Sequence, residues 1–143
     1  MSSSVPKLFT LIRARGASLI PSLSEIGLRR CKLADQEHDA RWRQFMHYNH
    51  KFRTVCYAGA TEELDDEYKV GLIAHELGHA AAELLGFWRK HSETDANRLG
   101  AGILGGMVRY RGEDRLEWAE VPLWLAEAPG WRGSKSRSGR RSR

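Results

Sequence analysis

The sequence predicts a single domain of the α+β class, and three observations carry that expectation. Lys51 to Ala58 is rich in residues that favour extended backbone (Phe52, Thr54, Val55, Cys56 and Tyr57) and ends at Gly59, as a strand does. Val70 to Phe87 is apolar on nearly every face (Leu72, Ile73, Ala74, Leu77, Ala80, Ala81, Ala82, Leu84 and Leu85), which describes a buried helix. Ser92 then opens a second helix whose stripe is Leu99, Ile103, Leu104 and Met107. A chain of 143 residues is long enough for one domain with a real core.

The elements follow in order. Residues 1–24 contain Lys7, Arg13 and Arg15 but no acid, and read as a basic, flexible leader ahead of a domain at 25–130. Ala34 to His47 reads as a helix, with Trp42, Phe45 and Met46 at helical spacing. The strand at 51–58 precedes the buried helix, a place that suits either a substrate-pairing edge strand or an internal one. Glu62 to Glu67 is acidic and leads into that helix, where negative charge favours the N-terminal dipole. Beyond Gly112, Glu113 to Val121 reads as a short helix stopped by Pro122. Residues 131–143 hold six arginines and lysines and no acid, more than the whole net charge of +5, and read as a disordered basic tail.

Within the buried helix stands His75-Glu76-Leu77-Gly78-His79. At about 100° per residue, positions i and i+4 share a helix face, so both imidazoles can converge on one ion. A catalytic zinc takes three protein ligands and leaves its fourth position to water, whose pKa falls to about 7. Glu76 lies about 100° round the helix from His75, within reach of that water, and reads as the general base. Gly78 is costly inside a helix, which points to a packing or ligand-access reason for it.

The third ligand has to come from another element. A further His six residues after His79 is absent, since that position is Leu85. Ser92 is a good N-cap, and Asp95 completes an acidic capping box with it, so Asp95 has a structural explanation. Glu93 projects onto the apolar stripe, where a carboxylate needs a metal or a cation, and is the better third ligand. Asn97 lies one turn further on the same side, placed to orient a ligating His or simply to edge the core.

HELGH followed by Glu93-Thr94-Asp95-Ala96-Asn97-Arg98 resembles the signature of the ImmA/IrrE-type zinc metallopeptidases of the gluzincin class. The similarity covers roughly residues 52 to 107. It implies a small gluzincin-like fold: a short sheet whose edge strand holds extended substrate, an active-site helix and a glutamate helix. It also implies His75, His79 and Glu93 as Zn2+ ligands and Glu76 as the catalytic glutamate. The chain departs from the family pattern where Asp95 replaces a second Glu and Leu99 an aromatic residue. A DNA-bound regulator as substrate is suggested by the resemblance alone.

Two other patterns carry less. Gly100-Ala101-Gly102-Ile103-Leu104-Gly105 matches a dinucleotide fingerprint, but inside a helix with no strand before it, so close helix packing is the better reading. His47 and His50 are too weakly supported for a second metal pair. Either of them, or His91, or Tyr57, could donate to the oxyanion of a tetrahedral intermediate. Cys31 and Cys56 form no disulfide framework, and no stretch is apolar enough to span a membrane, so a cytoplasmic protein is expected. The sequence therefore points to a zinc-dependent endopeptidase acting on a protein or peptide substrate. The alternative is a non-enzymatic, zinc-stabilised module that binds nucleic acid or an acidic partner through residues 131–143.

Overall fold

The computed structural model describes residues 3–31 and 45–105, together with the backbone of 108–110 and 116–118. Helix α1 spans Val5–Ala17, strand β1 Gly27–Arg30, β2 Met46–Asn49 and β3 Thr54–Tyr57. Helices α2, Asp66–Leu84, and α3, Glu93–Leu104, follow, and then the short strands β4, Val108–Tyr110, and β5, Leu116–Trp118. The architecture is mixed α+β, with three helices and a small three-stranded sheet among the described residues.

The first 24 residues do not form the flexible leader expected of them. Val5, Leu8, Phe9 and Ile12 recur at helical spacing, and all four are buried in the core that α1 shares with α2 and the sheet. Ser4 caps α1 through its side chain, which accepts from the Lys7 N–H. Two acids hold the helix start in place. The Ser3 N–H donates to both carboxylate oxygens of Asp66 at 2.9 and 3.2 Å, and the Val5 N–H to those of Glu62 at 3.0 and 3.2 Å. Behind them lies Lys69, wholly buried, whose Nζ donates to the Ser3 carbonyl at 2.7 Å and stands 3.6 Å from Glu62 and 3.9 Å from Asp66. The basic residues Lys7, Arg13 and Arg15 fall outside the buried stripe, which is why the segment resembles a leader in composition.

The sheet order is β1-β3-β2, with β1 parallel and β2 antiparallel to β3. The strand expected at 51–58 is thus β3, and it occupies the centre of the sheet. Among the described residues β2 is an edge strand in its place, and it takes up Met46 and His47 from the end of the helix expected at Ala34 to His47. The rest of that helix, 34–44, lies outside the described residues. Met46, Tyr48, Val55 and Tyr57 alternate onto the face that meets Ile73 and Leu77 of α2 and Leu8 and Ile12 of α1. β1 has no counterpart in the elements expected from sequence.

α2 starts at the N-cap Asp65, which accepts from the Tyr68 N–H, with Asp66 and Glu67 in the first turn, as the acidic run implied. Gly86, at φ 91°, turns the chain after the helix end, and a short connection leads back to α3. α2 and α3 cross closely at two glycines. A Cβ on Gly78 would lie 1.9 Å from the Ala96 carbonyl oxygen, and one on Gly100 would lie 2.5 Å from that of Ala74. Of the other fingerprint glycines, Gly102 faces open space and Gly105 is the left-handed C-cap of α3. β4 and β5 pair as an antiparallel ribbon against α2 and α3. Residues 116–118 are therefore extended, where a helix over Glu113 to Val121 was expected. The remainder of that segment and the tail at 131–143 lie outside the described residues.

Candidate metal centre

The close crossing of α2 and α3 sets the start of α3 beside the exposed end of the His75–His79 face. Glu93 is the first residue of α3, and its Oε1 lies 2.8 Å from Nε2 of His75 and 3.2 Å from Nε2 of His79. One ligand atom from each of the three side chains falls within 4.8 Å of the others. Tetrahedral donors at about 2.0–2.1 Å from a shared ion stand roughly 3.3 Å apart, so the two His–Glu separations already match one divalent cation, while a pair as wide as 4.8 Å would have to close on binding. The imidazoles are largely buried, with side-chain exposures of 7% and 12%, while Glu93 is 52% exposed. Glu93, at the very start of α3, is thus less enclosed than the helical projection implies.

Asp95 does what its capping pattern implies. Its N–H donates to Ser92 Oγ at 3.1 Å, and its Oδ2 accepts from the Ser92 N–H at 3.0 Å. Asn97 is buried on α3.

The charges of the cluster are interdependent. Hydrogen bonds from His75, then His79, hold the Glu93 carboxyl far below the usual carboxylate range, against a smaller opposing effect of burial. Burial depresses the His79 imidazole, but the Glu93 hydrogen bond and the charges of Glu76 and Glu93 outweigh it and raise its pKa. Glu76 is buried beside the pair. Burial pushes its carboxyl up, with His79, His75 and the Tyr48 backbone N–H opposing. A carboxyl raised in this way holds a proton more readily than an exposed one, as a proton-transferring group must.

Tyr48 brings β2 into the site, and the sequence offers no sign of this. The Ala58 N–H donates to the Phe45 carbonyl, which fixes the phase of the β2–β3 ladder. By the antiparallel alternation, the backbone groups of Met46 and Tyr48 then point to the outer side of β2, where the Tyr48 N–H meets Glu76. The Tyr48 hydroxyl donates to Glu83 of α2 at 2.6 Å, and Arg53 Nε donates to the same carboxylate at 3.3 Å. Burial and then Glu83 hold the Tyr48 phenol well above its ordinary range, so it stays protonated as a donor.

The structure separates the four candidate oxyanion donors. Tyr57 is buried in the core with Glu62 and Arg30 as its charged neighbours, and His47 alternates onto the opposite face of the sheet. His50 packs on the Trp88 ring at 4.5 Å. His91 alone touches the cluster, through Nδ1 of His79 at 2.7 Å.

No described helix is long and apolar enough to cross a membrane. Compared with protein-family profiles, curated proteins and solved structures, the chain has no match in any of the three.

Proposed function

We propose that this protein is a zinc-dependent endopeptidase of gluzincin type, with His75, His79 and Glu93 as the metal ligands and Glu76 as the general base. The observation that carries the reading is the convergence of two imidazole Nε2 atoms and one carboxylate oxygen from adjacent helices, with a second buried carboxylate beside them. A His2Glu donor set suits zinc, and a structural zinc site would be expected to close with a fourth protein ligand. When bound, the metal supplies Lewis acidity to the scissile carbonyl and lowers the pKa of water.

The chain's own groups supply the rest. Glu76 accepts the proton of the attacking water and returns it to the leaving amine, so that one peptide bond and one water become a carboxylate and an amine. The Tyr48 N–H holds the Glu76 carboxylate on the β2 side of the site. Among the described residues the outer side of β2 is a sheet edge next to the reacting centre. The Met46 backbone and the Tyr48 carbonyl offer extended peptide a strand to pair with, while the Tyr48 N–H serves Glu76. β2 therefore takes the substrate-pairing role that the sequence left between two readings of the strand at 51–58.

Glu76→Gln tests this. The variant should keep its zinc and its fold yet lose peptide hydrolysis by about 10²–10⁴-fold. Hydrolysis by the variant at the parent's rate, or a parent chain that binds metal and nucleic acid but cleaves no peptide in a library screen, would favour the binding-module alternative.

A further inference from the structure

His91 lies in the connection between α2 and α3, two residues before Glu93. Its two ring nitrogens are both engaged: Nδ1 lies 2.6 Å from the Trp88 carbonyl oxygen and Nε2 lies 2.7 Å from Nδ1 of His79. A carbonyl oxygen only accepts, so Nδ1 of His91 carries the hydrogen. In a neutral imidazole Nε2 is then an acceptor, and the contact to His79 requires a hydrogen on Nδ1 of His79. The remaining nitrogen of His79, Nε2, is the one that faces Glu93 Oε1 at 3.2 Å. This arrangement puts the hydrogen of neutral His79 on Nδ1 and leaves the lone pair of Nε2 directed at the cluster, as a metal ligand requires. In the metal-free protein the contact to Glu93 takes a second proton, which a cation would replace.

The ring of His91 is itself held in place. Trp88 packs against it with centroids 4.9 Å apart at 42°, and Phe87 meets it edge-on at 6.5 Å. Trp88 in turn packs on His50 at 4.5 Å and edge-on to Tyr48 at 5.7 Å. The connection is therefore anchored to β2 and the hairpin after it. Aromatic packing of this kind limits the plane in which His91 can accept.

We propose that His91 is a positioning residue for the metal site: through the Trp88 carbonyl, it fixes the tautomer and ring plane of His79 so that Nε2 faces a divalent cation. The inference rests on the metal site of the proposed function and is independent of whether the protein cleaves peptides. Outer partners of ligating histidines orient the ring and raise its basicity, and their loss costs about 10–100-fold in metal affinity.

The test compares the parent chain with His91→Phe, which keeps an aromatic ring but removes the acceptor, and His91→Gln, whose amide oxygen can accept from His79. Metal-free proteins are titrated with Co2+ in competition with a chelator, and circular dichroism monitors the fold. The expected result is roughly a 10–100-fold loss of affinity in His91→Phe, with recovery of most of it in His91→Gln. Equal affinity in parent and His91→Phe overturns the proposal while leaving the metal site standing. A parent that binds no Co2+, or a His75→Ala variant that binds as tightly as the parent, overturns the site beneath it. Should His91→Phe fail to fold, the parent loaded with Zn2+ decides alone: histidine 15N spectra should show His79 protonated at Nδ1 and coordinated through Nε2. Coordination through Nδ1 overturns the proposal.

Discussion

Glu93 and Asp95 are both acids in the first turn of α3, and the fold separates their tasks by direction alone. Glu93 reaches across to α2, whereas Asp95 turns back onto the N–H of Ser92. Their loss should therefore be felt in different measurements. Glu93→Ala should remove most of the metal retained after dialysis. Asp95→Ala should retain it and lower stability by about 1 kcal/mol, the scale of a lost helix cap, as read by urea unfolding. Retention in the first variant with loss in the second would reverse the ligand assignment. His75, Glu76, His79 and Glu93 are legible from sequence because helical periodicity dictates which side chains share a face. His91 is not legible as a partner of His79, since no period governs side-chain direction in a turn. Its only sequence signal is a ring two residues before Glu93 in a connection too short to place it far from the site.

At the scale of elements, the site depends on how near α2 and α3 can approach. Gly78 sits between Glu76 and His79 in the HELGH segment and lets the Ala96 carbonyl occupy the space a side chain would fill. A methyl group there meets backbone, which cannot rotate away, so α3 has to shift. Gly78→Ala should destabilise the fold by about 1–3 kcal/mol and, more tellingly, weaken metal binding by moving Glu93 away from His75 and His79. Chelator competition on the folded variant measures the second effect, and an unchanged affinity would show that the crossing does not set the site. The same two helices are the elements best read from sequence, because caps, acidic first turns and apolar faces are all local signals. α1 is obscured by its basic residues although Val5, Leu8, Phe9 and Ile12 keep helical spacing. β2 is misread for a different reason. Phe45 and Met46 fit a helical stripe with Trp42, and nothing local reveals that Met46 to Asn49 pairs with β3.

Across the whole molecule, one long-range tie joins the start of the chain to the start of α2, and it is ionic. Lys69 is completely buried, and its ammonium opposes the burial that pushes the Asp66 carboxyl up. Asp66 in turn holds Ser3. Lys69→Ala would leave that acid without its nearest cation and should cost about 3–5 kcal/mol in urea unfolding. The proposed metal would add a second tie, since it would bind His75 and His79 of α2 and Glu93 of α3 only when the fold has brought them together. At free zinc of about 100 times Kd, that linkage adds about 2.7 kcal/mol to native stability, roughly 5–10 °C in Tm for a chain of this size. The pH dependence has a definite sign. In the metal-free protein the raised pKa of His79 means its contact with Glu93 stabilises fully below the ordinary histidine pKa of about 6.5 and is lost as pH rises through the higher folded value. Zinc needs the same nitrogen without its proton, so metal stabilisation runs the other way and grows as pH rises. The Tm difference between zinc-loaded and chelator-treated protein should therefore widen from about pH 6 to pH 8 in calorimetry, in the parent and in Glu76→Gln, and vanish in Glu93→Ala. A difference that is independent of pH, or that persists in Glu93→Ala, would place the stabilising ion elsewhere than between these two helices.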